Sequence, residues 1–311
     1  MYYPFLRARQ FELIAIRELA AEHAIQVHVI PVFEPVKESV NNLNLANSAL
    51  VEFGQPAFLI LNPGNGDLIG DHKIFCHYLA GLDRKGFTPA FHYANNADYI
   101  STMIDEFRFE NCMLVLRSNF TDDVSLRELC NSETVSHIMV LDPQKNRSLD
   151  RYIKGLNKVY IRMDDLFEKK EKNADFLHIT AHKFTEEHLY YAEDGYQGFA
   201  DYTVLPSEFV DGGSTPRAVV IHLTYINADE DDQIWIRHFT SDTNDSIVNV
   251  QGKFAEAAAK ALEFCDRHPL DNSAIRELRF YYDEQRYPGL GVVKKISMKN
   301  HLLIIQSYLS R

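Results

Sequence analysis

The chain has 311 residues, 46% hydrophobic and 24% charged, enough to bury a sizeable core in one large domain or two medium ones. Its net charge of -12 disfavours a broad nucleic-acid-binding surface, which needs clustered Lys and Arg, but leaves room for a small basic pocket. No apolar run reaches the ~18–20 residues of a membrane span, and residues 1–10 lack the apolar segment and cleavage site of a secretory signal, so the expected protein is soluble and cytoplasmic.

Four cysteines (Cys76, Cys112, Cys130, Cys265) lie far apart with no CxxC spacing, as reduced, buried thiols do. In chain order, residues 5–24 have helical spacing of Phe11, Ile14, Ala15 and Leu19, and residues 27–33 follow as a strand in which Pro31 marks a bulge or an unpaired position. Residues 39–53 form a helix stopped by Gly54, and the apolar run 57–61 reads as a strand covered on both faces. Asn62-Pro-Gly-Asn-Gly66 is a loop by composition. Helices are then predicted over 71–84, 98–109, 125–130 and 149–155. They alternate with strands over 88–93, 112–116 (ending at Arg117 and Ser118), 135–141 (ending at Asp142-Pro143) and 159–163.

Residues 167–191 are charged and in part helical, with His178 and His182 four apart. No acid lies between them as in HExxH and no third ligand is specified, so surface or interface histidines are the preferred reading over a zinc pair. Two strand-like runs, 199–205 and 217–225, flank a connection carrying Gly212, Gly213 and Pro216. The acidic run Asp229-Glu-Asp-Asp232 reads as a solvated turn between two strands, since the glycine and terminal glutamate of a calcium loop are absent, and residues 233–239 pair antiparallel with 217–225 through it or form an extra edge strand. Helices over 250–267, 273–282 and 302–309 close the chain.

Strand and helix alternate for about eight strands, the pattern of a parallel (β/α)8 barrel of the TIM type. The competitor, an open doubly wound sheet, is weakened in its dinucleotide-binding form by the absence of GxGxxG, and no Walker A sequence occurs. The expected organisation is a barrel over residues 1–249, with 250–311 as a helical elaboration packed on it in the same domain.

Barrel active sites are built at the C-terminal ends of the strands. Reading those ends in order gives Glu34, Asn62, His92, Arg117, Asp142, Arg162 with Asp164, Asp201 and His222. Two readings remain open. Glu34, Asp142, Asp164 and Asp201, with His92 or His222, are the oxygen and nitrogen donors a divalent metal cofactor would need, and Arg117 and Arg162 would clamp the phosphate of a small ligand, a set suited to metal-assisted phosphodiester hydrolysis. Alternatively, the same side chains pair with one another. Glu34, Asp201 and His222 are the candidate catalytic residues, with Asp201 orienting the His222 ring from the neighbouring strand. Gly289 and Gly291 beside Lys294-Lys295 mark a segment expected at the barrel mouth or an assembly interface.

The stretch Tyr3-Pro-Phe-Leu-Arg7, Gln10-Phe-Glu12, Ala15, followed by Ile30-Pro-Val-Phe-Glu-Pro-Val36, resembles the start of the beta family, named after a beta protein of T-even phage. Gly198-Phe-Ala-Asp-Tyr202, Asp211-Gly-Gly213, Ile221-His-Leu-Thr-Tyr225 and Gly289-Leu-Gly291 with Lys294-Lys295, Ser297-Met298 and His301 resemble the later blocks of a bacterial subfamily of about this length that carries a myxobacterial "sce" locus-tag name. The likeness spans nearly the whole chain, its motifs are short, and Ala200 stands where a glycine is expected. The resemblance implies a barrel-like fold without an established activity, a gene neighbour similar to restriction-type nucleases, and regions of conflict between bacteria and phage. It adds Arg7, Gln10, Glu12, Asp201, His222, Lys294 and His301 to the positions of interest.

Two functions follow as expectations. One is a non-catalytic or sensing component of a phage-defence module, acting by protein–protein interaction with a nuclease-like partner and holding a polar ligand site at the barrel mouth. The alternative is a metal-dependent phosphodiesterase or nucleotide hydrolase. Convergence of the four carboxylates on one point favours the enzyme, and pairing of each with an arginine favours binding.

Overall fold

Short, wholly apolar runs such as Ala57–Ile60 and Cys112–Leu116 suit a parallel sheet covered on both faces, and in a computed structural model describing residues 1–117, 119–212 and 217–311 they are buried throughout. Ser118, Gly213 and Pro216, singled out in the sequence, lie outside the described residues. In order, β1 (Phe5–Leu6) leads into α1 (Gln10–Ala21), β2 (Val32–Phe33) into α2 (Asn41–Phe53), β3 (Ala57–Ile60) into α3 (Ile74–Ala80) and β4 (Phe87–His92) into α4 (Ala97–Phe107). Then β5 (Cys112–Leu116) leads into α5 (Val124–Asn131) and β6 (Val135–Leu141) into α6 (Arg147–Lys154). There follow β7 (Val159–Met163), β8 (Ala181–Thr185), α7 (Glu187–Tyr190), β9 (Gly198–Ala200), β10 (Val220–Asn227), β11 (Gln233–Thr240), α8 (Val250–Arg267), α9 (Ser273–Asp283) and α10 (Leu290–Leu309).

The described residues form two compact units, Met1–Asp165 with Glu187–Tyr202, and Leu166–Glu186 with Thr203–Arg311. The division thus falls at 165, 186 and 202, whereas the sequence placed the end of the barrel at 249.

The first unit is an eight-stranded parallel (β/α)8 barrel of the TIM type, with strands in the order β1-β2-β3-β4-β5-β6-β7-β9. Its seam is drawn together by a parallel bridge between Tyr2 and Phe199 and by amide bonds from Tyr3 to the Phe199 carbonyl (2.8 Å) and from Phe5 to the Asp201 carbonyl (2.9 Å). Alternate strand residues fill the lumen: Tyr3, Phe5, Val32, Phe58, Ile60, Ala90, Met113, Val115, Met139, Ile161, Met163, Ala200 and Tyr202 form one buried cluster. His137, in phase with Met139, joins it edge-on to Phe58 at 4.9 Å and to Tyr3 at 6.0 Å.

The second unit is built on an antiparallel sheet in the order β10-β11-β8, with Val220 opposite Thr240 and Asn227 opposite Gln233. Ile221, Leu223 and Phe239 share a core with Phe254, Leu262, Ile275, Leu278 and Ile296 from the three C-terminal helices. Asn249 and Asn272 start α8 and α9 by accepting amide bonds from Gly252 and from Ala274 and Ile275. All four cysteines are buried and unbridged, and no helix among the described residues is long and apolar enough to cross a membrane.

Several boundaries differ from the sequence reading. The first barrel strand is Phe5–Leu6, absorbed in the sequence by a helix predicted from residue 5. The 27–33 run keeps only Val32–Phe33 as strand, since Pro31 has no amide to donate. The eighth barrel strand is Gly198–Ala200. The run that holds His222 pairs antiparallel with β11 in the second unit, so His222 is not on a barrel strand. His178 ends a 3-10 helix and His182 lies on β8, so the two are not a helical pair.

Candidate functional site: the barrel mouth

Side chains on a strand alternate between its two faces, so a residue two beyond a lumen residue also points inward. Phe5, Val32, Ile60, Ala90, Val115 and Ala200 belong to the lumen cluster, and two positions on from them stand Arg7, Glu34, Asn62, His92, Arg117 and Tyr202. These six make the inward ring at the C-terminal ends of β1, β2, β3, β4, β5 and β9.

Glu34 is the centre of this ring and has 0% exposure. Arg7 and Arg117 both pair with it, Arg117 Nη2 to Oε1 at 2.7 Å. The Gly64 amide donates to the same Oε1 at 2.9 Å, and Asn65 Nδ2 lies 3.2 Å from Oε2. Both guanidinium groups lie over aromatic faces, Arg7 5.3 Å from the Phe5 and Tyr202 ring centres and Arg117 4.9 Å from that of Phe5. Asn62 clasps the end of β4, donating to the His92 carbonyl and accepting from the His92 amide, each at 2.8 Å.

Burial alone would raise the Glu34 pKa, but Arg117, Arg7 and the Gly64 amide outweigh it and hold the carboxyl below its usual range. Burial, reinforced by Arg117, pushes His92 down to about 4, so its ring is neutral at pH 7. Glu12 stands near Arg7 and Arg9; burial raises it against the pull of both arginines. Arg117 Nε and His92 Nε2 are buried with no hydrogen-bond partner among the described residues.

The other sequence candidates fall outside this ring. Ile161 and Met163 point into the lumen, so Arg162 and Asp164 are out of phase with it. They pair with each other at 2.8 Å, and Arg162 also meets Glu187 at 3.1 Å. Burial raises the Asp164 pKa, Arg162 opposes, and Asp142 and Asp201 add to the rise. Asp201 is out of phase with Ala200 and Tyr202 and accepts from the Tyr2 hydroxyl at 2.6 Å. Asp142, in the left-handed region at φ 48°, pairs with exposed Lys145 at 2.6 Å. The expected Asp201–His222 couple rested on neighbouring barrel strands. Instead His222 Nδ1 lies 2.7 Å from His238 Nδ1 across β10 and β11. Lys294 is an exposed residue of α10 in the second unit. His301 is buried beside Thr224, its Nδ1 3.2 Å from Thr224 Oγ1, and Gln10 is the exposed first residue of α1.

The expected metal donors do not assemble. Glu34 faces two arginines, Asp164 an arginine, Asp142 a lysine and Asp201 a tyrosine. Among the described residues no three His, Cys, Asp or Glu side chains form a group that could hold a metal ion. The residues present therefore do not fit the divalent site the sequence allowed.

Gly64, Asn65 and Tyr202 are site residues that strand-end reading passed over. At Gly64 a Cβ would lie 2.9 Å from Arg117 Nη2 and 3.3 Å from the His92 ring, so a side chain there would displace the end of Arg117. Gly66, at φ +97° and with a would-be Cβ 2.3 Å from the Val36 carbonyl, seats this loop against the chain after β2. The glycine spacing in Asn62–Gly66 was the available signal. The chain matches no protein-family model and no curated protein.

Proposed function

We propose that the barrel mouth binds the anionic group of a small ligand, a phosphate or carboxylate, with Arg7 and Arg117 as charge partners and His92 Nε2 as a neutral hydrogen-bonding contact. The observation that carries this reading is the pair of arginines converging on one buried carboxylate, beside a buried Arg117 Nε and His92 Nε2 that no described residue satisfies. Buried polar atoms are satisfied in the great majority of cases, so such atoms mark a place for a ligand or an ordered water. The Arg7 and Arg117 guanidinium groups beside Glu34 are the cationic donors that an anion at the mouth would meet.

On this reading the protein is a ligand-binding, non-catalytic component, acting in the cytoplasm with a nuclease-like partner in a bacterial module against phage. The resemblance to the beta family supports that role, and the acidic chain suits a protein partner better than DNA. The hydrolase alternative is weaker, because each carboxylate it needs is engaged by a neighbouring side chain.

The test is calorimetric titration with inorganic phosphate, nucleoside phosphates and small carboxylates, on wild type and Arg117→Gln. Binding by wild type that weakens about tenfold or more in the variant supports the site, a charge-assisted hydrogen bond contributing ~1.5–3 kcal/mol. Equal affinity in both, or no binding to any probe, removes it. Pull-down from the native host, with partners identified by mass spectrometry, tests the nuclease-like partner.

A further inference from the structure

The second unit contains a cavity of about 280 Å³ beside β11, lined among others by Arg237, Phe264, Phe176, His238 and Lys260. Arg237 sits opposite Leu223 of β10 and Ala181 of β8. Its guanidinium carbon lies 4.9 Å from the Phe264 ring centre and 5.7 Å from that of Phe239. Phe264 is in turn stacked on His268 at 4.2 Å. The aromatic faces fix the guanidinium plane, so little rotamer freedom is left to lose on binding.

The other charges around the cavity are committed. Lys260 Nζ donates to Asp242 at 2.7 Å and to the Thr240 carbonyl at 2.8 Å, and Arg267 pairs with Glu263 at 2.6 Å. The Arg237 side chain makes no hydrogen bond and no ion pair with any described residue. One held, uncompensated guanidinium edge therefore faces a half-enclosed space. Phe176 and His238, 4.5 Å apart, form a second aromatic group there. Both His238 nitrogens are engaged, Nδ1 by His222 and Nε2 by His182, so His238 offers the cavity ring surface and no free nitrogen.

We infer that this cavity binds a small oxyanion carried on a flat ring, with the Arg237 guanidinium edge taking a carboxylate or phosphate in the two-pronged mode and the aromatic groups taking the ring. The proposal is independent of the barrel mouth and involves no covalent step. Its selectivity follows from the walls: a bare anion uses only the arginine, and a ringed anion uses both.

The test uses wild-type protein and phenylglyoxal, which modifies accessible arginines, with peptide mass mapping of Arg237 and Arg117. Benzoate, phenyl phosphate, acetate and inorganic phosphate serve as protecting probes. Benzoate or phenyl phosphate should slow modification of Arg237, and acetate and inorganic phosphate should do so less; which ringed probe is better separates carboxylate from phosphate. Arg237→Gln should weaken the better probe by about tenfold or more. An unchanged Arg237 rate with every probe overturns the proposal, as does protection confined to Arg117, which assigns the anion to the mouth. Equal affinity of Arg237→Gln and wild type also overturns it. The labelling is read on the unmutated chain, so instability of the variant does not affect that result.

Discussion

Arg117 Nη2 donates to Glu34 Oε1 at 2.7 Å, and the carboxylate that receives it is completely buried. Arg7 meets the other oxygen of the same group. Replacing Glu34 by Gln keeps the shape and removes the charge, leaving two guanidinium groups facing each other without their common partner. Breaking a buried pair in this way costs about 3–5 kcal/mol. Glu34→Gln should lower the unfolding free energy by that amount in urea titration. A loss under about 1 kcal/mol would place the cluster among solvated surface pairs, contrary to the burial of Glu34.

Acid should weaken the protein before its carboxylates titrate. His92 and His137 are pushed from 6.5 to about 4 and His238 to about 3, in each case first by burial, and His222 lies well below 6.5 for the same reason. A histidine whose folded value is depressed stabilises fully above its unfolded value of 6.5. Below that the unfolded chain takes up protons that the folded chain refuses, and stability falls as pH drops toward the folded value. Glu12 and Asp164, raised chiefly by burial, act in the opposite sense, and Glu34 adds its own loss only beneath 4.5. Four histidines outweigh two carboxylates, so the urea midpoint should drop between pH 7 and pH 5. His137→Phe keeps a ring against Tyr3 and Phe58 and should shrink that drop. An identical pH profile for His137→Phe would show that His137 contributes nothing to it.

The barrel was legible because its signal is long-range: apolar runs and helices alternate, and each short strand needs only a few residues to register. The phase of the mouth was legible in principle as well. Phe5, Val32, Ile60, Ala90 and Val115 alternate with outward residues, and counting two onward reaches Arg7, Glu34, Asn62, His92 and Arg117. The same count leaves Arg162, Asp164 and Asp201 outside the lumen, a distinction that position at a strand end alone does not carry. For His222 the antiparallel pairing of its run with 233–239 through the acidic turn was legible, but not that this pair stands outside the barrel, because an antiparallel strand and a barrel strand share one apolar pattern. Only the pairing partner tells them apart, and for β10 that partner is β11. The two-residue strand β1 also escaped, since Phe5 and Leu6 are too few to carry any period.

The loop after β3 should tolerate an added methyl very unequally at its two glycines. At Gly66 the backbone is left-handed at φ +97°, and a Cβ would lie 2.3 Å from the Val36 carbonyl, which is backbone and cannot rotate away. Gly66→Ala should cost about 1–3 kcal/mol or more through strain and displacement of the loop. Gly64 has no positive φ, and its would-be Cβ meets the ends of the Arg117 and His92 side chains. Gly64→Ala should therefore shift those two side chains with a stability loss within about 1 kcal/mol, and weaken anion binding at the mouth. Paired melting and titration on the two variants check this. Equal stability losses would mean that the Val36 contact does not hold the loop.

Three imidazoles run across the second unit's sheet, and one carbonyl sets the protons of all of them. His182 Nδ1 lies 3.0 Å from the Lys183 carbonyl, His182 Nε2 lies 3.1 Å from His238 Nε2, and His238 Nδ1 lies 2.7 Å from His222 Nδ1. A carbonyl oxygen only accepts, so His182 must carry its proton on Nδ1. A singly protonated His182 then has a bare Nε2, which accepts from Nε2–H of His238. His238, neutral with its pKa pushed down to about 3, is left with a bare Nδ1. That nitrogen accepts from Nδ1–H of His222, whose bare Nε2 ends the chain. The expected pattern is thus Nδ1–H for His182 and His222 and Nε2–H for His238, which nitrogen-15 shifts of the imidazoles at pH 8 will read directly. Removing the first member should undo the order downstream: in His182→Phe the His238 proton is no longer held at Nε2, and its two nitrogens should move toward averaged shifts. Finding His238 protonated on Nδ1 in wild type would reverse every bond in the chain and show that the Lys183 carbonyl does not set it.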